Sequence, residues 1–163
     1  MNRARAVTAV FWCSLFAAYL LQLMPLPYGL AALKPYWLGL VLIYWALEAP
    51  ERISLGQAFA LGLFADVLVS DLLGEQALRL CILCFIALRF RARLRFFPIW
   101  QQALAVLALL VNDRVLLLIV RAASGAPIPA HVFWLSPLIG MLAWPWIFLL
   151  LDDVRARLRT SES

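Results

Sequence analysis

Apolar residues run along this chain in six stretches, at about residues 7–24, 36–47, 53–69, 72–88, 99–120 and 132–151. The first passes from Val7 to Met24 without a charge. It stops at Pro25-Leu-Pro27, where proline removes backbone donors and restricts the preceding residue. The second lies between Lys34-Pro35 and Glu48-Ala-Pro50-Glu51-Arg52. It is short for a crossing, and Tyr36, Trp37, Tyr44 and Trp45 at its edges suit the two faces of a bilayer. The third carries Gly56, Gly62 and Asp66; the fourth carries Glu75 and Arg79 and ends in the run from Arg89 to Arg95. The fifth contains Asp113 and Arg114, and the turn Ser124-Gly-Ala-Pro127-Ile-Pro129 separates it from the sixth. Apolar runs of this kind predict membrane-spanning helices. The expected architecture is therefore all-α, a six-transmembrane-helix bundle forming a single membrane domain over residues 1–163.

Composition supports a lipid environment. Apolar residues make up 66% of the 163 positions and charged ones 14%, whereas soluble domains are about half apolar and about a quarter charged. A water-soluble fold of this size could not cover so much apolar surface. The first stretch is too long for the apolar core of a secretory signal and is read as a retained first helix. A net charge of +5 would raise nucleic-acid binding in a soluble protein. Here the basic residues cluster at the ends of apolar stretches, which makes them topology signals, and no nucleic-acid partner is expected.

Charge placement also orients the bundle. With six crossings and the amino terminus inside, ten of the fourteen basic residues are cytoplasmic: Arg3, Arg5, Arg52, Arg89, Arg91, Arg93, Arg95, Arg155, Arg157 and Arg159. Lys34 and Arg121 fall in outer loops and Arg79 and Arg114 in the membrane. Removing the second crossing alone would place the Arg89–Arg95 loop outside, against the positive-inside rule. Both termini are therefore expected in the cytoplasm. The outer connections are short, at Pro25–Pro35, Ser70–Asp71 and about Arg121–His131. Each arginine of the basic cytoplasmic loop contributes about 1 kcal/mol of attraction to anionic lipid. Lipid contact and topology are the favoured roles for this loop, over contact with an acidic cytoplasmic partner.

Five ionisable side chains remain inside the apolar stretches: Asp66, Glu75, Arg79, Asp113 and Arg114. Each costs about 2.5–3.5 kcal/mol at mid-bilayer, which makes internal pairing the expected solution. All five fall in the outer half. Glu75 and Arg79 are spaced to pair on one helix face, whereas Asp113 and Arg114 point about 100° apart. The expectation is an interhelical network joining Asp66 and Asp113 to Arg79 and Arg114. Its favoured role is a clasp that sets helix packing; the alternative is the lining of a pocket or partner site.

Other features carry less chemistry. Cys81 and Cys84 have redox or metal spacing without a second pair, and thiols in hydrocarbon are unreactive, so they are read as packing. His131 stands alone, so no metal is expected. Gln101 and Gln102 suit an interfacial position. No nucleophile elbow, zinc helix motif, Walker loop or dinucleotide fingerprint is present. Neither catalysis nor a cofactor is expected.

Several segments, in order, carry a family likeness: Lys34-Pro35-Tyr36-Trp37, Ala49-Pro50 with Arg52, Gly62-Leu63 with Asp66, and Gly74. Further on are Trp100-Gln101-Gln102-Ala103-Leu104, Asp113, Phe133-Trp134 and Trp144-Pro145-Trp146-Ile147-Phe148-Leu149-Leu150. Across nearly its whole length the chain resembles the rod shape-determining MreD family of bacterial cell elongation. Lys34 where arginine is usual and the cation at Arg114 are its departures. The resemblance implies a non-enzymatic inner-membrane component that organises peptidoglycan synthesis by binding MreC. It further implies MreB, RodA and penicillin-binding protein 2 as members of the same complex. The family is also similar to the substrate-binding component of energy-coupling-factor transporters. The alternative function is thus a small-molecule-binding membrane subunit, with an outward cavity near Asp66, Glu75 and Arg79.

Overall fold

A computed structural model describes residues 2–69, 72–129 and 131–160. The Ser70–Asp71 connection lies outside the described residues. Among the described residues the chain is all-helical: α1 (Arg3–Leu23), α2 (Trp37–Glu48), α3 (Leu55–Val69), α4 (Glu75–Leu94), α5 (Ile99–Ser124) and α6 (Leu135–Thr160). Short 3-10 turns at Ala31–Leu33, Pro50–Arg52 and His131–Trp134 link them. The helices form a bundle whose outside is apolar. Trp12 and Phe16 on α1, Phe59 and Phe64 on α3, and Trp146 and Leu150 on α6 are all exposed. An apolar exterior this extensive is that of a membrane protein. By length and composition α1, α5 and the segment His131–Thr160 are able to cross a bilayer. α2 and α3 are shorter apolar helices.

The shortest of the six is the core. Residues 38–47 of α2 are all buried, and the helix packs against α1, α4 and α6 with a lesser contact to α5. A helix that is apolar all round belongs in the interior. At about 1.5 Å per residue its twelve residues span only roughly 18 Å, well short of a bilayer core. This corrects the interfacial reading of its aromatics. Tyr44 and Trp45 are fully buried, and Trp45 Nε1 donates to Ser14 Oγ on α1 at 2.9 Å. Tyr36 is buried as well.

Helix ends are tied by side chains from neighbouring elements. Arg91 Nε donates to the Leu47 carbonyl at 3.1 Å, satisfying one of the last carbonyls of α2. Gln102 is buried, not merely interfacial, and its Nε2 donates to the Leu94 carbonyl at 3.0 Å. The basic run is not a loop: Arg89, Arg91 and Arg93 belong to the end of α4 and Arg95 caps it. Charged residues suit the last turn because the carbonyl end of the helix dipole favours cations. Arg121 likewise lies in α5, not in an outer loop.

α3 and α4 form a tight hairpin at Gly62. A Cβ on Gly62 would stand 2.6 Å from the Ala77 nitrogen, whereas Gly56 meets nothing nearer than Ser54 Oγ at 3.9 Å. The two glycines thus have opposite meanings, a backbone contact and a free surface. Gly62→Ala should destabilise the folded protein by about 1–3 kcal/mol. Gly56→Ala should be neutral or stabilise by up to about 1 kcal/mol through helix propensity. Thermal unfolding of the detergent-solubilised variants checks the pair; equal shifts would refute the contact.

Candidate functional site

The ionisable residues of the apolar stretches gather at the end of the bundle where α3 gives way to α4. Asp66 sits one turn beyond Gly62, and the close approach of the helices aims its carboxylate at the start of α4. It accepts backbone N–H bonds from Gly74 at 2.9 Å, Gln76 at 2.9 Å and Ala77 at 3.3 Å. Gly74, the N-cap position of α4, has φ +94° and no side chain to serve as a cap. Asp66 supplies that cap from the neighbouring helix, where a negative charge also complements the dipole. The expected arginine partner for Asp66 is not used, because three N–H donors already satisfy it.

One turn into α4, Arg79 makes the central ion pair. Its Nε donates to Asp113 Oδ1 at 2.8 Å and its Nη2 to Asp113 Oδ2 at 2.5 Å, a bidentate bond between α4 and α5. Both side chains are at least 95% buried. Arg79 Nη1 is 3.6 Å from Glu75 Oε1, the i,i+4 neighbour. The guanidinium also lies 4.8 Å from the centre of the Tyr36 ring, whose hydroxyl donates to Gln76 Oε1 at 2.7 Å. The planar fork of arginine matches a carboxylate in a way that lysine does not.

Arg114 turns the other way. Its Nη2 donates to Ser136 Oγ at 2.8 Å, and Ser136 Oγ donates onward to the Lys34 carbonyl at 2.6 Å. The Arg114 guanidinium lies 4.5 Å from the centre of the Phe133 ring. Here it meets a hydroxyl and a ring, not the carboxylate expected. Lys34 folds back to donate from Nζ to the Gln22 carbonyl and, at 2.9 Å, to that of Met24. Burial lowers the pKa of its ammonium.

These groups border a cavity of about 230 Å³ lined by Asp66, Glu75, Arg79, Arg114, Arg121 and Phe133 among others. Arg121 Nε is 3.8 Å from Glu75 Oε2. Around the cavity Glu75 lies between Arg79 and Arg121, while Asp66 is held by backbone N–H groups and Arg114 by Ser136 and Phe133. Asp66 is held by N–H donors and Asp113 by arginine, so the two carboxylates have separate partners. The site also includes Tyr36, Gln76, Phe133, Ser136 and Arg121, which sequence reasoning does not assign to it. Ser136 leaves a trace, being the only hydroxyl in the sixth apolar stretch.

The remaining motif residues are distributed through the bundle. Pro35 is buried just before α2, and its carbonyl accepts from the Trp37 N–H at 3.0 Å. Trp144 is fully buried while Trp146 is 77% exposed, so Trp144-Pro145-Trp146 spans core and lipid faces. Pro145 lies inside α6. Trp100 is exposed at the start of α5, and Gln101 beside it is partly buried.

An all-helical membrane bundle with a buried charge cluster at one end and arginine-rich helix ends at the other is the class that these features define. Residues 3–154 match the rod shape-determining protein MreD family, and the chain belongs to that family. A curated relative, rod shape-determining protein MreD of Haemophilus influenzae, is 35% identical over 145 residues, covering 87% of this chain and 88% of its own. No solved structure matches the chain.

The ion pair makes a quantitative expectation. Removing one partner strands a buried charge, so Arg79→Leu and Asp113→Leu should each destabilise by about 3–5 kcal/mol. The double variant should lose clearly less than the sum of the two. Asp66→Ala should cost about 1 kcal/mol through loss of the cap. Denaturant titration in mixed micelles measures all four variants; strict additivity at Arg79 and Asp113 would rule the pair out.

Proposed function

We propose that this chain is a non-enzymatic, multi-pass component of the bacterial rod (elongation) complex in the inner membrane. Both termini are cytoplasmic, and it organises peptidoglycan synthesis by binding MreC directly. MreB, RodA and penicillin-binding protein 2 are members of the same assembly. The observation that carries this reading is the family match, which runs from the start of α1 into the last turns of α6 and so covers the whole bundle. The orientation is supported by charge. Arg3, Arg52, Arg155 and Arg159 border one cavity, and the Arg89–Arg95 run forms the α4 end that Arg91 ties to the end of α2.

A docking place for MreC's transmembrane helix is offered by the groove between α4 and α5. It has a volume of about 360 Å³ and is lined by Ile86, Phe90, Ala105, Ala108, Leu109 and Asn112 among others. Two features favour a helix over lipid there. Ala105 and Ala108 permit close backbone approach, and Asn112 Nδ2 is buried without a hydrogen-bond acceptor. In hydrocarbon an amide donor of this kind is best satisfied by a neighbouring chain.

The second reading, a small-molecule-binding subunit of a transporter, is favoured by the cavity beside Asp66, Glu75 and Arg79. Ligand pockets usually measure about 300–1,000 Å³, and a cavity of about 230 Å³ is below that range. The scaffold reading therefore leads.

Co-purification separates them. MreC should be retained by the detergent-solubilised wild type, and Asn112→Leu should lower retention severalfold while Asp66→Ala leaves it near wild type. Failure of the wild type to retain MreC at native expression levels would sink the reading, and small-molecule binding abolished by Arg114→Gln would favour the transporter alternative.

A further inference from the structure

The arginine-rich end of the bundle contains a second, larger cavity, of about 450 Å³, where α1, the Pro50–Arg52 turn and α6 converge. Arg3, Arg52, Arg155 and Arg159 line it, against a single lining carboxylate, Glu51. Four lining arginines to one lining carboxylate is a larger excess than the three to two of the other cavity, and a hollow lined by one sign of charge draws anions to it.

Two of the four guanidinium groups are preset. Arg52 Nη1 donates to Thr8 Oγ1 at 2.7 Å, which anchors it to α1. Arg155 Nη1 donates to Tyr44 Oη at 3.2 Å and lies 3.4 Å from Glu48 Oε2, with the Tyr44 and Trp45 rings 6.0 and 5.8 Å from its Cζ. Arg3 and Arg159 are exposed, and each is free to close over an occupant. The first turn of α1 opens on the same cavity, with no acidic residue and no side-chain cap on its N–H groups, which adds positive potential.

An apolar groove adjoins the cavity. It has a volume of about 400 Å³ and is lined by Ala4, Arg5, Thr8, Ala9 and Trp12. Ala4 borders both spaces, and Thr8, which holds Arg52, lies in the groove. From Ala4 to Trp12 the groove follows α1 for about 12 Å into the apolar part of the helix. A basic hollow continuous with an apolar groove at the end of an apolar helix suits a ligand with an anionic head and an apolar tail. We propose that this cavity binds the phosphate head group of an anionic phospholipid, with an acyl chain lying along α1 against Trp12.

Native mass spectrometry of the full chain in a mild detergent tests this, with dioleoyl phosphatidylglycerol, dioleoyl phosphatidylcholine and inorganic phosphate as probes. The wild type should retain one phosphatidylglycerol in preference to phosphatidylcholine. Retention should fall about fivefold for each of Arg3→Gln and Arg159→Gln and further for the two combined, since neither side chain makes a contact that the fold requires. Arg89→Gln with Arg93→Gln, an equal loss of charge at the end of α4, should lower retention far less than the Arg3 and Arg159 double variant. Trp12→Ala should weaken the lipid and leave phosphate unaffected. Equal loss in both double variants would overturn the site in favour of diffuse surface charge. Full displacement by inorganic phosphate, with Trp12→Ala without effect, would show a free-phosphate site instead. Binding of a glutamate-rich peptide in place of phosphatidylglycerol would assign the cavity to an acidic protein partner and equally refute the proposal.

Discussion

The bidentate bond between Arg79 and Asp113 is the constraint on which the polar end of the bundle depends. Neither charge tolerates hydrocarbon alone, so α4 and α5 must meet in the one register that brings guanidinium and carboxylate together. That register is set upstream. Gly62 lets α3 touch the backbone of α4, Asp66 then caps the first turn of α4, and the capped start places Glu75 and Arg79 on the inner face. Tyr36, immediately before α2, stacks on the same arginine and ties the core helix to the pair. Because Asp113 points toward α4, its neighbour Arg114 must point elsewhere, and it reaches Ser136 at the start of α6. A single ion pair thus relates the five helices named, from α2 to α6.

Much of this was legible in the sequence, and the parts that were not have identifiable causes. Six apolar stretches correspond to six helices because uninterrupted hydrophobicity and proline breaks act locally. The i,i+4 relation of Glu75 and Arg79 follows from helix geometry alone, as does the divergence of Asp113 and Arg114. Partner choice was another matter. Backbone N–H groups carry no sequence signature, so nothing in the letters says that Asp66 prefers the start of α4 to an arginine. Likewise, the hydropathy of α2 cannot distinguish a helix facing lipid from one enclosed by other helices. Tyr44 and Trp45 look interfacial by position, yet they are the most deeply buried aromatics of α2. Exposure is decided by packing between distant segments, and a linear pattern records only the tendency to leave water.

The two ends of the molecule handle charge in opposite ways. At the Asp66 end, Arg79 meets Asp113 and Glu75 within the bundle, Arg121 meets Glu75, and the cavity beside them is the smaller of the two. At the other end arginines outnumber carboxylates around a wider hollow. Internal compensation at one end and excess charge at the other is the division that a bilayer's interior and surface favour. Within hydrocarbon an uncompensated charge is too costly to keep, whereas at the head-group level water and lipid phosphate are available.

This asymmetry limits how the protein recognises anything within the membrane. The hydrophobic effect does not drive helices together in lipid, because acyl chains are as apolar as leucine. Selective association then rests on shape and on the few polar groups left over. Most polar groups in the apolar stretches are engaged internally, and Asn112 in the α4–α5 groove is an exception whose amide donor lacks an acceptor. Ala105 and Ala108, seven and four residues before it, fall on the same side of α5 as the groove. A helix seated there would gain close packing at the alanines and one hydrogen bond at a fixed depth. That combination specifies register as well as partner, since sliding by one turn, about 5.4 Å, would break the bond while keeping the apolar contact. A bundle held rigid by Arg79 and Asp113 is suited to such a demand, because a groove reads register only if its own walls do not shift.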